Sequence, residues 1–250
     1  MHRRSFIRFL AALGAASATG SIWPSRGHAS EPDLEVELRA VPEDISLFAG
    51  ARTGVWRFQG EVIRGDPEQL QNADESWLGP TFRVRRGQRV RIRFKNLIPQ
   101  ESIIHWHGLH VSPGNDGHPR MAVPASGEYV YDFEVPNRAG TYWYHPHPHR
   151  LTGPQVYGGM AGLFLISDQE EQALGLPSGE YDLPVVFQDR TFGPDNQLVY
   201  VRSPMERRNG FLGNRIMTNG RADGSFSVKG RPYRLRILNG SNSRMFRLGW

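Results

Sequence analysis

Strict alternation between polar and apolar residues constrains this chain more than any other feature of its sequence. The alternation runs through residues 89–94 and again through residues 128–135. Successive side chains of an extended strand point to opposite faces of a sheet, so both segments are predicted to be strands with one buried face. Residues 160–166 form a short apolar run of buried-strand length, and no long helical periodicity competes with these patterns. The sequence therefore predicts an all-β sandwich of short strands.

An internal repeat predicts a second sandwich of the same kind. Gly87 precedes residues 91–96, and Gly230 precedes residues 234–239, with the same spacing in both copies. Each copy begins with arginine alternating with an apolar residue and ends in asparagine. Repetition of a scaffold strand at this distance indicates two related domains.

The domain boundaries follow from the repeat and from the composition between its copies. We expect the first domain at residues 30–167 and the second at residues 181–250, with residues 168–180 as a linker that has room for one helical turn. The second copy ends inside a predicted strand at residues 245–250, before a sandwich could close. Because an open sandwich exposes apolar surface and an unpaired edge, we expect the second domain to be incomplete and the chain to be truncated.

Histidine is concentrated in one part of the first domain. Seven of the nine histidines lie between residues 105 and 149, and four of them form two His-x-His pairs, His105 with His107 and His145 with His147. Residues i and i+2 of a strand face the same side, roughly 6.6 to 7 Å apart, so each pair offers two imidazoles to one side of a sheet. The pairs predict a metal site with room for more than one ion. Imidazole binds copper, zinc, iron and nickel, so the spacing leaves the metal open.

The histidine pairs and their flanking residues resemble the first cupredoxin domain of the multicopper oxidases, the group of laccase, cuprous oxidase and bilirubin oxidase. The resemblance implies a cupredoxin-like Greek-key sandwich, followed by a second, incomplete cupredoxin-like domain without copper ligands. The matching segments, in order, are residues 105–108, Asp116 with Gly117, residues 140–147, residues 153–162 and residues 163–166.

The same resemblance implies a function and a set of ligands. In the family, dioxygen is reduced to water at a trinuclear copper cluster held by four His-x-His pairs, of which this chain supplies two. By resemblance, His105 would bind the type 2 copper, and His107, His145 and His147 the type 3 pair. The remaining histidines are interpreted as surface residues, although His147 and His149 also have i, i+2 spacing, so a shifted register is an alternative.

Asp116 has two compatible interpretations. It lies in an Asn-Asp-Gly sequence, which is typical of a turn. In the family, an acid at this place lies near the copper cluster and is thought to supply protons to reduced oxygen, as a carboxylate can by general acid chemistry.

Two departures from the family pattern matter for activity. The chain contains no cysteine, whereas the type 1 copper of the family is bound by a cysteine and two histidines of a later domain. The other two His-x-His pairs are missing as well, so we expect half a trinuclear site and a chain that is inactive alone. Arg150 stands where relatives often have glycine.

The first 29 residues resemble a twin-arginine export signal. Arg3 and Arg4 precede an apolar stretch at residues 9–20, which Arg8 separates from the apolar Phe6 and Ile7. The uninterrupted stretch is too short for a membrane anchor. We therefore expect the Tat export machinery as a partner and a periplasmic or secreted protein.

Removal of the signal also changes the charge. Residues 1–29 contain four arginines and no acidic residue, so the formal net charge falls from +5 to 5 − 4 = +1. Binding to nucleic acid or to an anionic membrane is therefore not expected, despite the arginine-rich residues 83–95.

Three classes of function remain open. The leading interpretation is the N-terminal part of a secreted three-domain multicopper oxidase, with an unidentified reducing substrate such as a phenol, cuprous ion or bilirubin. The alternative is an exported, non-catalytic copper or zinc binding protein or an envelope scaffold of the same fold. A cupin-like oxygenase with a single metal is a third class, which the second His-x-His pair disfavours.

Overall fold

The alternating segments form strands, as their pattern predicts. The computed structural model describes residues 31–73, 76–222 and 224–249, so the predicted signal at residues 1–29 lies outside the described residues. No helix within the described residues is long and apolar enough to cross a bilayer. The strands are β1 (Leu34–Ile45), β2 (Thr53–Arg64), β3 (Leu70–Gln71), β4 (Thr81–Arg85), β5 (Arg89–Asn96), β6 (Ile104–His107), β7 (Glu128–Glu134), β8 (Gly140–Pro146), β9 (Gly162–Ser167), β10 (Asp182–Arg190), β11 (Arg215–Thr218) and β12 (Arg234–Asn239).

Three short α-helices connect the strands: α1 (Thr152–Tyr157), α2 (Gln169–Ala173) and α3 (Pro204–Asn209). Helix α2 lies in the predicted linker, where Asp168 caps it by accepting the N–H of Glu171 at 2.8 Å. Single 3-10 turns occur at Pro67–Gln69, Pro119–Met121 and Gly179–Tyr181.

Two sheets form the first sandwich. One has the strand order β2-β1-β5-β7 and the other the order β3-β4-β9-β8-β6, so strands distant in sequence lie side by side. Strand β1 runs parallel to β5, and β4 runs parallel to β9, while the other pairs are antiparallel. This arrangement confirms the predicted all-β, cupredoxin-like class.

Large apolar side chains from both sheets fill the space between them. Burial of each such side chain contributes about 1.5–3 kcal/mol. Those with no exposed surface include Phe58, Phe82, Phe94, Trp106, Tyr131, Tyr144 and Phe164.

The internal repeat reappears in the second part of the chain as a repeat of topology. Strand β10 pairs antiparallel with β11 and parallel with β12, as β1 pairs antiparallel with β2 and parallel with β5. The described residues supply three strands of this second sheet, in the order β11-β10-β12. A fourth strand equivalent to β7 is not among them, in agreement with the predicted incomplete domain.

The prediction of a strand at residues 245–250 is wrong. Residues 245–249 have no strand structure, and Met245 is 92% exposed. A strand needs a neighbour for its backbone N–H and C=O groups, and the described residues offer none to this segment. The ring of Phe246 in this segment packs against that of Phe187 in the second sheet, with ring centroids 5.7 Å apart.

A second core joins the two parts of the chain. Trp77, Leu163 and Leu165 of the first part pack in one cluster with Val186 and Met217 of the second. The predicted boundaries at residues 167 and 181 stay predictions, because residues on both sides of them share this core.

Arg190 lies buried where the two parts meet. Its guanidinium lies over the ring of Trp77 at 5.2 Å and over that of Tyr157 at 4.6 Å. It donates to the carbonyl oxygens of Val156 at 3.0 Å and Asp189 at 2.9 Å. Burial lowers the pKa of Arg190 to about 10, so the side chain remains a cation at neutral pH.

The asparagine that ends each repeated strand holds the loop that follows it. Asn96 has no exposed surface, and its Nδ2 donates to the carbonyl oxygens of Gln100, Val123 and Pro124 at 2.8–3.0 Å. The exposed Asn239 makes one such bond, to the carbonyl oxygen of Arg244 at 2.8 Å. The same sequence position therefore has an internal role in one copy and a surface role in the other.

Substitution of the two asparagines tests this difference. We expect Asn96→Ala to lower the free energy of unfolding by about 2 kcal/mol, because it leaves buried carbonyl groups without donors. The matched variant Asn239→Ala should lose less than about 0.5 kcal/mol, since water can replace the lost bond. Urea unfolding followed by tryptophan fluorescence measures both. Equal losses would contradict the structural distinction.

Candidate metal centre

Two neighbouring strands carry three of the four predicted ligands. Strands β6 and β8 pair antiparallel, with His105 opposite His145 and His107 opposite Trp143. Between them, Trp106 and Tyr144 are also opposite each other and fully buried in the first core. Because side chains alternate across a sheet, the histidines face away from that core.

The fourth histidine lies just beyond the strands. Strand β8 ends at Pro146, and His147 follows it. The backbone N–H of His147 donates to the carbonyl oxygen of Ile103 at 2.8 Å, which keeps the chain beside β6.

The structure brings all four predicted ligands together. The ring centroid of His105 lies 5.6 Å from that of His107, 5.3 Å from His145 and 5.2 Å from His147. His105, His107 and His145 each offer one ligand atom, and these three atoms lie within 4.8 Å of one another. The closest approach is 3.2 Å, between Nδ1 of His107 and Nε2 of His145.

Backbone carbonyl groups orient three of the rings. The Nδ1 atoms lie 2.8 Å from the oxygen of Asp116 for His105, 2.9 Å from that of Pro146 for His145, and 3.3 Å from that of Gly117 for His147. A carbonyl oxygen only accepts, so each Nδ1 carries the proton and each Nε2 keeps its lone pair for a metal.

His107 has the opposite orientation, because its Nδ1 faces the cluster. The centre therefore presents three Nε2 atoms and one Nδ1 atom. His107 also differs in solvent exposure, since it is exposed whereas His145 is buried.

Lowered pKa values keep the imidazoles of His145 and His107 neutral. Desolvation lowers the pKa of His145 to about 4, although its bond to the oxygen of Pro146 acts in the opposite direction. Desolvation, and then the neighbouring His105 and His147, lower the pKa of His107. Neutral imidazole is the form that binds metal ions.

Trp143 covers the rings on one side. Its ring centroid lies 4.4 Å from that of His145 and 5.1 Å from that of His107, with interplanar angles of 39° and 32°. Trp143 therefore packs directly on two of the predicted ligands.

The sequence and the fold are similar to those of known proteins. A family model described as multicopper oxidase matches residues 58–171. The multicopper oxidase mco of Staphylococcus aureus is 35% identical over 184 residues, which are 74% of this chain and 40% of the relative. The chain belongs to the multicopper oxidase family.

A solved structure and a further relative show how much of the family's length is present. The crystal structure of the multicopper oxidase McoA of Aquifex aeolicus has a TM-score of 0.73 at 36% identity, and the match covers 86% of this chain and 44% of that one. The cell division protein FtsP of Sodalis glossinidius is 31% identical over an alignment of 259 positions, gaps included, which covers 96% of this chain and 50% of the relative. The chain spans about half the length of these relatives or less.

The donor set fits the metal for which the family is named. All four donors are imidazole nitrogens, which bind copper in both of its common oxidation states. The chain has no cysteine, so a centre in this chain has no thiolate ligand.

Asp116 contacts the centre through its backbone and its side chain. Its carbonyl oxygen accepts from His105, and its Oδ1 lies 3.3 Å from the same Nδ1. The carboxylate is 45% exposed. The structure thus gives Asp116 a role in orienting His105 that sequence reasoning missed, while its role as a proton donor stays a prediction.

The remaining described histidines, His110, His118 and His149, are not part of the cluster. His118 accepts the backbone N–H of Arg120 at 3.2 Å, and the backbone N–H of His110 donates to Asn137 at 2.9 Å. His149 is exposed. It is His147 whose ring approaches His105, which favours the register that the resemblance implies over the shifted one.

Gly117 allows the 113–117 turn to reach β6. Its φ is +73°, and a Cβ atom there would lie 1.9 Å from the carbonyl oxygen of Ile104. The turn predicted from the Asn-Asp-Gly sequence is present, and its close approach delivers two of the three carbonyl groups that orient the histidines.

We expect Gly117→Ala to lower the free energy of unfolding by about 2–4 kcal/mol and to weaken metal binding, because the turn must move away from β6. Gly114 is the matched control: it lies in the same turn, and a Cβ atom there would meet nothing within 4 Å. Gly114→Ala should change neither quantity appreciably. Thermal unfolding and copper titration of both variants check this, and similar behaviour of the two would refute it.

Arg150 has a left-handed backbone conformation, which glycine adopts more readily than arginine. Its φ is +62°, in the left-handed region that non-glycine residues adopt at a cost of about 1–2 kcal/mol. We expect Arg150→Gly to raise the free energy of unfolding by about 0.5 kcal/mol, part of the relief being offset by the entropy of glycine. Arg86→Gly, at an exposed turn residue without positive φ, should lower it. Urea unfolding distinguishes the opposite signs.

Proposed function

We propose that this chain is the N-terminal part of an exported multicopper oxidase that couples oxidation of a reducing substrate to reduction of dioxygen to water. Convergence of both His-x-His pairs on one face of β6 and β8 is the observation that carries the proposal. The length of the relatives supports it, because the chain spans half of them or less.

Four histidines would hold copper in this proposal, as half of a trinuclear site. His105 would bind the type 2 ion, and His107, His145 and His147 the type 3 pair. Bound copper supplies one-electron redox chemistry. The protein's part is to present neutral imidazoles, to fix their rings through backbone carbonyl groups, and to cover them with Trp143.

Asp116 is the residue proposed to handle protons. Its carboxylate lies beside His105 and is partly exposed, so it can exchange protons with water while staying near the centre. The reducing substrate would be a phenol, cuprous ion or a bilirubin-like compound, and its oxidation would need the type 1 copper that this chain cannot bind without cysteine.

Export through the Tat machinery to the periplasm or the exterior is part of the same proposal. The arginine pair and the apolar stretch within residues 1–29 support it.

A non-catalytic role is the second candidate. The similarity to a cell division protein over 96% of the chain favours a role other than substrate oxidation. The candidate is an exported copper or zinc binder or an envelope scaffold of the same fold. Sequencing the gene beyond the codon for Trp250 separates the candidates. Further His-x-His pairs with a cysteine support the oxidase, whereas a stop codon supports the binder.

Copper titration of the purified chain tests the centre itself. We expect one or two copper ions, no intense blue copper–thiolate absorption, and oxygen uptake equal to that of free copper. His105→Ala and His147→Ala should each weaken copper binding at least about tenfold, because each removes a ligand. His118→Ala should leave binding unchanged. Uptake above the free-copper control that disappears in the ligand variants would overturn the half-site interpretation.

A further inference from the structure

Gln155 is a buried polar side chain outside the set of predicted ligands. It lies in α1 and has no exposed surface. The hydroxyl of Ser102, equally buried, donates to its Oε1 at 2.9 Å. Its Nε2 donates to the carbonyl oxygen of Glu101 at 2.9 Å. A buried amide needs such partners, and here both lie in the segment that enters β6.

These bonds join the two segments that carry the histidine pairs. Ser102 precedes His105 by three residues, and Gln155 follows His147 by eight. The side-chain pair therefore connects the chain entering the first His-x-His pair with the chain leaving the second.

His147 depends on such a connection more than the other ligands do. The ladder of β6 and β8 fixes the other three, whereas His147 lies past the end of β8 at Pro146. On its N-terminal side it is held by the strand and by its bond to Ile103. On its C-terminal side the next fixed element is α1, which Gln155 attaches to the same segment.

Stability alone does not require this pair. Replacement of both partners of a buried hydrogen bond by apolar groups of similar shape can be nearly neutral, so a well-packed apolar contact would serve the core as well. A hydrogen-bonded pair differs in fixing distance and direction, which a ligand site needs.

We propose that Gln155 and Ser102 are positioning residues that set the place of His147 in the metal centre. The inference rests on the proposed function, since it assigns these residues a role toward bound copper. They act through His147 and do not touch the metal.

A double-mutant cycle tests the proposal with copper affinity as the readout. Affinity of the full chain for Cu(II) is measured by competition with a chelator, and the electron paramagnetic resonance spectrum of the bound ion is recorded. Gln155→Met should weaken binding about 10- to 100-fold, the range typical of groups that orient metal ligands, and should change the spectrum. In the His147→Ala background, Gln155→Met should change affinity less than about twofold, because its target is gone.

Gln188 provides the matched control. It is equally buried, accepts from Nε1 of Trp77 at 2.8 Å, and belongs to β10 in the second sheet. Gln188→Met should destabilise the fold to a comparable degree and leave copper affinity within about twofold of the wild type. If Gln155→Met fails to fold, Ser102→Ala enters the same cycle, since it removes one bond and little volume.

Each outcome decides the matter. Loss of affinity that disappears in the His147→Ala background supports the proposal. An unchanged affinity in Gln155→Met, an equal loss in Gln188→Met, or a loss that persists without His147 overturns it and leaves the proposed centre intact. If the wild type binds copper no better than the double variant His105→Ala/His145→Ala, both this proposal and the proposed metal centre are overturned.

Discussion

The register between β6 and β8 is the constraint on which the rest of the centre depends. With His105 opposite His145, the three strand histidines share one face, and Trp106 and Tyr144 share the other. A slip of one residue in either strand would exchange these faces, placing imidazoles in the core and aromatic rings outside. The aromatic core therefore excludes every register that would turn the strand histidines inward, and stability and ligand placement depend on the same pairing.

The strands place the histidines, but loops decide which nitrogen each ring presents. Three rings are oriented by carbonyl groups from the 113–117 turn and from Pro146. Pro146 has no N–H to give to a strand ladder, and its free carbonyl serves His145. The close approach of Gly117 to β6 brings the carbonyl oxygens of Asp116 and Gly117 to the rings of His105 and His147. The centre thus combines a rigid sheet with backbone groups from irregular segments, which no side-chain motif encodes directly.

The sequence predicted the elements whose periodicity is local. Alternation identified β5 and β7, the repeat identified β12, and i, i+2 spacing identified four histidines that the structure brings together. It was wrong at residues 245–249, because a strand depends on a neighbour that the pattern cannot reveal. It could not show that Asp116 orients His105, that Gln155 bonds across to Ser102, or that Arg150 is left-handed. Each of these depends on groups far apart in the sequence or on backbone angles without a composition signal.

The burial of Arg190 has a consequence for how this protein can vary. Its charge is covered by two aromatic faces and two backbone carbonyl groups, with none of its own hydrogen bonds to a carboxylate. A flat guanidinium can lie between two rings and still bond outward along its edge, whereas the compact ammonium of lysine cannot do both. Substitutions of Trp77, Tyr157 and Arg190 should therefore depend on one another: loss of one ring would leave the interior cation with a single aromatic face, and exchange of the cation would leave the two rings without a common partner.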